Sequence, residues 1–444
     1  MDPPEPVVSF TDLPREVLWE VLSSLGGHDL IRMGATCGAI RDVVSDSSSQ
    51  LLWKRACTDE WSSWDAPQWR DCPDWRSAYA TRRALDARAL KLLRDDNIQK
   101  AEMLQSLRAL GGDVLEVLTK EAKSFFQKHK SHGQAAVMAD HLRMIISEEK
   151  LGALVAGGDS AAGAGVAAAA VIEEAAWLVA GVLQPERDMS AARSALDSTG
   201  RRLKSMLELS EPMSKRERLE ALNTVVFGGE GDAEGEGAGL GLRGNAGSYY
   251  DPFNSMIDQV VGRRLGIPIT LAIVYAAVAR RAGITIEMVG LPCHFMARCP
   301  GEGGASGDTA DVYIDVFRRG FFMTEDECRD FVASMGIRFH PSMLAPPAPA
   351  DVITRVCNNL LGIFKGHGGR PEREVVGIVD EPLLVTLSLL VAARPHEREA
   401  RMRRSVAAFN SGDFHTAERD LEYLLEGEGG PGREVIQGYL RQFR

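Results

Sequence analysis

The fold is decided by residues 241–284, GLRGNAGSYYDPFNSMIDQVVGRRLGIPITLAIVYAAVARRAGI, together with VGLPCHF at 289–295 and VYIDVF at 312–317. Residues 269–282 are apolar on nearly all sides, which predicts a helix at the centre of a core. Gly283 ends this helix, and four short runs after it predict strands. These runs are 284–289, 294–298, 312–317 and 321–323. One central helix beside short strands indicates an α+β core.

The residues that carry a family resemblance are spread over these segments. They include Gly244, Asn245, Tyr249, Tyr250, Pro252, Asn254, Ser255, Arg264, Gly266, Pro268, Leu271, Tyr275, Arg280, Gly283, Gly290, Pro292, His294, Phe295, Asp315 and Phe317. On these residues the chain resembles the SirB family of bacterial transglutaminase-like proteins, specifically over 241–335 and more thinly over 171–444. The resemblance implies a transglutaminase-like (papain-like) α+β core.

In active transglutaminase-like enzymes, a Cys at the start of the central helix is the nucleophile. A His on the next strand accepts its proton, and an Asp on the following strand orients the His. Here the position of the Cys is taken by Pro268, whereas His294 and Asp315 match the other two. Because Pro carries no nucleophilic group, thiol chemistry is not expected. Cys293 is next to His294, but neighbouring residues of an extended strand point to opposite faces.

Three interpretations of the vestigial pair His294 and Asp315 stay open: a structural hydrogen-bonded pair, a substrate-binding cleft, and residual chemistry with Thr270 as a nearby hydroxyl. The residues predicted to line a substrate cleft are Asn254, Arg264, Pro268, Thr270, Pro292, His294 and Asp315. No metal is expected, because the spacing of Cys293, His294 and Cys299 fits no usual zinc pattern. No cofactor is expected either.

The N-terminal region carries a second resemblance. LPREVLWEVLSSL (13–25), HDLIRMGATCGAIRDVV (28–44) and LLW (51–53) read as three short helical patterns. In order and spacing they resemble the F-box, which implies docking on the Skp adaptor of a Skp–cullin–F-box ubiquitin ligase. A region of this size buries little surface by itself. A partner would therefore cover the apolar side chains that stay exposed. The residues predicted to contact the adaptor are Leu13, Pro14, Val17, Leu22, Leu25, Leu30, Ile40 and Trp53.

The whole chain is therefore predicted to be mostly α, with the α+β core described above. Its predicted segments are a disordered tail (1–8), the three-helix F-box (9–57), a helical spacer (58–150), a Gly/Ala-rich linker (151–170), the transglutaminase-like domain (171–345) with an acidic Gly-rich loop (228–240), and a helical tetratricopeptide-like region (346–444). In the last region Arg394, Arg398, Arg401, Arg403 and Arg404 alternate with glutamates, which predicts a solvated helix face.

Composition restricts the range of possible partners and cellular locations. The formal net charge of −11 argues against nucleic acid as a partner. Seven scattered cysteines without a CxxC pair indicate a reducing compartment. The N-terminus has no signal-peptide pattern. The most apolar stretch, 160–183, contains Glu173 and Glu174, so no membrane span is expected. The expected location is the cytoplasm, the nucleus or both.

Taken together, these patterns predict a substrate-recognition subunit of a Skp–cullin–F-box ubiquitin ligase. The partners implied are the Skp adaptor, the cullin ligase reached through it, and an unknown protein substrate. The alternative is an enzyme, a hydrolase or transferase that depends on His294 and Asp315.

Overall fold

The computed structural model describes residues 13–61, 72–95, 97–129, 133–160, 165–209, 213–228, 239–301, 310–365, 381–426 and 431–441. The predicted tail 1–8 and nearly all of the predicted loop 228–240 lie outside these residues. The chain forms two compact units, Met1–Arg143 and Met144–Arg444. Their boundary falls inside a helix, whereas the sequence predicted boundaries at 57/58 and 150/151.

The first unit is built from helices. They are α1 (Arg15–Ser23), α2 (Gly27–Thr36), α3 (Gly38–Ser45), α4 (Gln50–Glu60), α5 (Trp75–Leu93), α6 (Lys100–Ala109), α7 (Val114–His129) and the first part of α8 (Gln134–Ser160). The second of the three predicted patterns is two helices, because Cys37 is extended (φ −143°, ψ 134°) and separates α2 from α3. The N-terminal region thus contains four short helices and not three.

The predicted spacer packs directly on the N-terminal helices through aromatic side chains. Trp53, Trp61 and Tyr79 are almost completely buried, and the ring of Tyr79 lies 5.5 Å from that of Trp53 and 5.0 Å from that of Trp61. The Trp61 indole donates to Asp86 at 2.8 Å. Because these contacts join α4 to α5, residues 58–143 belong to the same compact unit as the first four helices.

The second unit combines helices with one small sheet. After the end of α8, its helices are α9 (Val166–Leu183), α10 (Ser190–Leu209), α11 (Lys215–Phe227), α12 (Ile257–Arg263), α13 (Pro268–Arg281), α14 (Glu325–Ser334), α15 (Pro349–Phe364), α16 (Pro382–Ala393), α17 (Arg398–Asn410), α18 (Phe414–Glu426) and α19 (Pro431–Leu440). The predicted central helix is confirmed as α13. Its residues from Pro268 to Ala279 are all buried, as all-round apolarity requires.

The strands are short. Arg243–Gly244 (β1) and Leu265–Gly266 (β2) form a parallel pair. Glu287–Val289 (β3), Met296–Cys299 (β4), Val312–Asp315 (β5) and Phe321–Met323 (β6) form an antiparallel sheet in the order β3-β4-β5-β6. Ala297 pairs with Ile314 and Ile314 with Phe322, which fixes the register. The last strand agrees with its prediction, whereas the first three are shorter than predicted.

The prediction of a Gly/Ala-rich linker at 151–170 is wrong for the part of this range that the structure describes. Residues 151–160 complete α8, and α9 begins at Val166. Alanine is the best helix former, so a run rich in Ala favours helix over linker even where glycines are present. By length and composition alone α9 could cross a membrane. In the structure its buried side chains, among them Ile172, Trp177 and Leu183, belong to the core around α13.

In the predicted tetratricopeptide-like region, α17 and α18 form a helix–turn–helix with Gly412 (φ 77°) between them. The prediction of a solvated arginine face is wrong for Arg404, whose side chain is 1 % exposed. Arg404 donates to both carboxylate oxygens of Asp420, at 2.6 and 2.7 Å, and approaches Glu148 at 3.1 Å. This burial was not predictable from the helical pattern, because Asp420 and Glu148 lie on other helices.

Candidate functional site

The candidate site lies at one end of the sheet, where the start of β4 is next to the end of its antiparallel neighbour β5. Asp315 is the last residue of β5. His294 is not on a strand as predicted but two residues before β4, since Leu291–His294 form a tight turn in which the His294 N–H donates to the Leu291 carbonyl. Pro292 stands at the second position of this turn and Cys293 at the third, with φ 56°. That third position in a turn of this kind favours Gly, so Cys293 holds a strained backbone.

The predicted pair is brought together. His294 Nε2 lies 3.1 Å from Asp315 Oδ1, and the two side chains are 13 % and 3 % exposed. The N–H direction does not meet hydrogen-bond geometry, so this is a close polar contact and not a linear hydrogen bond. Asp315 Oδ1 also accepts the backbone N–H groups of Phe317 and Arg318, at 3.1 and 3.2 Å. The carboxylate therefore caps its own turn as well as facing the imidazole.

The other predicted cleft residues have separate surroundings. Pro268 is the first residue of α13 and is buried. Thr270 is 1 % exposed and its Oγ1 makes no hydrogen bond within the described residues. Asn254 uses its amide to hold a turn of its own, donating to the carbonyls of Ser248 and Tyr249. Arg264 is exposed in the left-handed conformation at the end of α12. Within the described part of the chain, no hydrogen bond or ion pair joins any of these four residues to the His294 side chain.

Cysteine chemistry at the pair would require a thiol that reaches the His294 ring. All seven cysteines lie in the described residues, and none hydrogen-bonds to the His294 ring. Cys328 is fully buried, and its electrostatic neighbours include Asp315. Burial raises the pKa of the Cys328 thiol to about 12 and that of Cys357 to about 12. Both therefore stay protonated near neutral pH and are poor nucleophiles.

Sequence reasoning missed Arg355, a residue of α15 that holds the His294 turn in place. Its Nη2 donates to the backbone carbonyls of Leu291 at 3.0 Å and His294 at 2.8 Å. Its guanidinium carbon also lies 5.2 Å from the centre of the Phe295 ring, a cation–π distance. In a single sequence, nothing distinguishes an Arg with this role from any other Arg on an amphipathic helix.

No group of three or more His, Cys, Asp or Glu in the described residues could hold a metal ion.

In the first unit the predicted adaptor-binding residues fall into three groups: buried, partly buried and exposed. Leu22, Leu30, Ile40 and Trp53 are at most 3 % exposed and form the core of the unit. The prediction that these four contact a partner is therefore corrected, because a buried side chain presents no surface. Leu13 and Leu25 are partly buried.

The exposed members are Pro14 and Val17, and the same face of α1 adds Val21, which was not predicted. Val17 is 41 % and Val21 38 % exposed. Spacing of three and four residues places Pro14, Val17 and Val21 on one side of the helix, and we call these three residues the α1 strip. Ile31 (48 %) and Leu51 (67 %) are further exposed apolar residues of this unit. An outward apolar strip on a small helical unit is typical of a docking surface.

Comparison with known proteins places both units in families. A model described as F-box-like matches residues 10–59, and one described as transglutaminase-like superfamily matches residues 190–358. The chain therefore combines an F-box-like domain with a transglutaminase-like domain.

Two relatives align with most of this chain. The chain is 25 % identical to F-box only protein 21 of Pongo abelii, over 98 % of this chain and 70 % of that protein. It is 26 % identical to F-box only protein 21 of Homo sapiens, over 81 % of this chain and 59 % of that protein. A UPF0162 protein of Xylella fastidiosa (strain 9a5c) is 35 % identical over 45 % of this chain and 68 % of its own length. No solved structure matches the chain.

Proposed function

We propose that the protein is the substrate-recognition subunit of a Skp–cullin–F-box ubiquitin ligase. The first unit would dock on the Skp adaptor and through it reach the cullin, while the second unit binds a protein substrate. The observation that carries the proposal is the α1 strip in a chain whose N-terminus matches the F-box-like family. The apolar residues of this strip would be buried by the adaptor, which gives the association its driving force.

We infer further that the transglutaminase-like domain binds substrate without acyl transfer. Pro268 begins the central helix at the position implied for the nucleophile, and none of the cysteines hydrogen-bonds to His294. A His–Asp pair without a nucleophile can orient or bind a polar group but cannot form a thioester. In this role the protein raises the effective concentration of a substrate lysine beside a ubiquitin-charged partner. The proposed location is the cytoplasm or nucleus, where such ligases act.

The direct test is reconstitution with the purified full-length chain. We expect it to elute in one complex with the Skp adaptor and cullin. With the complete ligase present, we expect ubiquitin transfer to a bound protein that stops when the adaptor is left out. Incubated alone with a glutamine-containing protein and a labelled primary amine, the chain should incorporate no amine. Failure to bind the adaptor would contradict the docking role, and amine incorporation by the chain alone would favour the enzyme.

A further inference from the structure

Arg355 is a half-buried cation that faces no carboxylate among the described residues. Comparable arginines of this unit are paired: Arg281 contacts Glu173 and Asp197 at 2.7 Å, and Arg298 contacts Glu287 and Asp311. Those carboxylates raise the pKa of Arg281 and of Arg298 above the ordinary value in spite of burial. For Arg355, burial instead lowers the pKa, because its electrostatic neighbours are only Tyr249 and Cys293.

The guanidinium is held rigidly while part of it stays available. Its Nη2 is occupied by the two carbonyls of the 291–294 turn. Nε and Nη1 make no hydrogen bond within the described residues, and neither is sealed from solvent. Gly290 leaves room for this end of the side chain, since a Cβ there would lie 3.3 Å from Nη1. A fixed guanidinium with free donors is suited to bind a carboxylate in a bidentate manner.

The surroundings are exposed and favour a peptide. Tyr249 is 37 % and Tyr250 60 % exposed, and their rings meet edge-on at 5.5 Å. Cys293 is exposed on the turn that Arg355 holds. Exposed aromatic rings beside a preorganised arginine are the residue types that dominate protein-binding surfaces. A small inorganic anion would not use these rings, whereas a peptide carrying an acidic residue would.

We propose that Arg355 binds a carboxylate of the protein substrate, an Asp or Glu side chain, with Tyr249 and Tyr250 contacting the flanking residues. This inference rests on the proposed function and names the chemistry that its substrate would present. Specificity would then lie with Arg355 beside the His294 turn and not with the His294–Asp315 pair itself.

The test uses three fluorescently labelled octapeptides that differ only in charge. The first has an internal Glu and an amidated C-terminus, the second has Gln in place of Glu, and the third keeps Gln but has a free C-terminal carboxylate. Binding to the full-length chain is followed by fluorescence anisotropy. A charge-assisted pair should favour the Glu peptide over the Gln peptide by about tenfold or more. Preference for the third peptide alone would overturn the side-chain assignment in favour of a C-terminal carboxylate.

Two variants locate the site. Arg355→Gln should remove the preference, and Arg355→Lys should retain part of it, because charge remains but the fork is lost. Arg193→Gln, on an exposed arginine already paired with Glu174, is the matched control and should keep the full preference. An equal preference in Arg355→Gln, or no binding of any peptide to the wild type, overturns the site. Adaptor assembly is measured on the same samples, so failure of the site is distinguished from failure of the proposed function.

Discussion

Exchange of both Val17 and Val21 for glutamate should abolish binding to the Skp adaptor while the chain stays folded. Both side chains lie on the exposed face of α1, so the folded protein does not depend on them. In the complex, however, each new carboxylate would be desolvated without a partner. Two such penalties together amount to about 4 kcal/mol, a loss of affinity of about a thousandfold. Titration of the immobilised adaptor with the full-length chain measures this loss of affinity.

Two further variants separate docking from folding. Val406→Glu makes the same chemical change at a residue of α17 that is 46 % exposed, and it should leave adaptor binding unchanged. Leu22→Ala changes the buried face of α1, where the side chain is 0 % exposed. It should lower the free energy of unfolding by about 2–5 kcal/mol. Wild-type affinity in the Val17/Val21 double variant would show that α1 is not the docking surface.

The second large effect is expected at Glu173, which joins α9 to the end of α13. This carboxylate is 4 % exposed and accepts hydrogen bonds from Arg280 at 2.8 Å and from Arg281 at 2.7 and 2.8 Å. Glu173→Ala leaves two partly buried guanidinium groups without this partner. Breaking a buried pair in this way should lower the free energy of unfolding by about 3–5 kcal/mol. Urea denaturation measures the difference.

The adjacent Glu174 provides the matched control. Its side chain is 56 % exposed and contacts Arg193 at 3.3 Å. Because exposed ion pairs contribute little, Glu174→Ala should cost no more than about 1 kcal/mol. Equal losses for the two variants would contradict the role given to the buried carboxylate.

The Glu173 contribution should also depend on pH. Burial alone would raise the pKa of Glu173, but hydrogen bonds from Arg281 and Arg280 lower it below the ordinary value. A lowered folded-state pKa means that the stabilisation is complete above the unfolded-state pKa of about 4.3 and is lost as the pH falls through the folded-state value. The stability gap between wild type and Glu173→Gln should therefore be constant near neutral pH and shrink below about pH 4.

Features that a single segment encodes by itself could be predicted from the sequence. The central helix α13 follows from apolar residues on all sides, and its N-terminal proline fits the first turn. The approach of His294 to Asp315 followed from a family resemblance and the order of the strands. His294 was predicted to begin a strand, whereas it closes a turn, because Cys293 occupies a left-handed position that sequence patterns assign to Gly.

Other features depend on residues distant in the sequence and were not predictable. Helical periodicity identifies apolar positions but does not say whether a partner or the chain's own core covers them. For that reason Leu22 and Val17 looked alike, although one is buried and the other exposed. Arg404 was expected in solvent, since its partner Asp420 belongs to the next helix. Arg355 is informative only because no described carboxylate lies against it, a property of the folded chain.

The central claim is that one end of this chain binds the ligase and the other end binds the substrate. The most direct measurement is quantitative affinity purification of the wild type beside the Val17/Val21 double variant, with ligase activity blocked so that bound substrates persist. We expect the Skp adaptor and cullin to be recovered with the wild type and lost with the variant, while a common set of other proteins stays bound to both. Equal recovery of adaptor and cullin with both forms, or loss of the whole set with the variant, would contradict it.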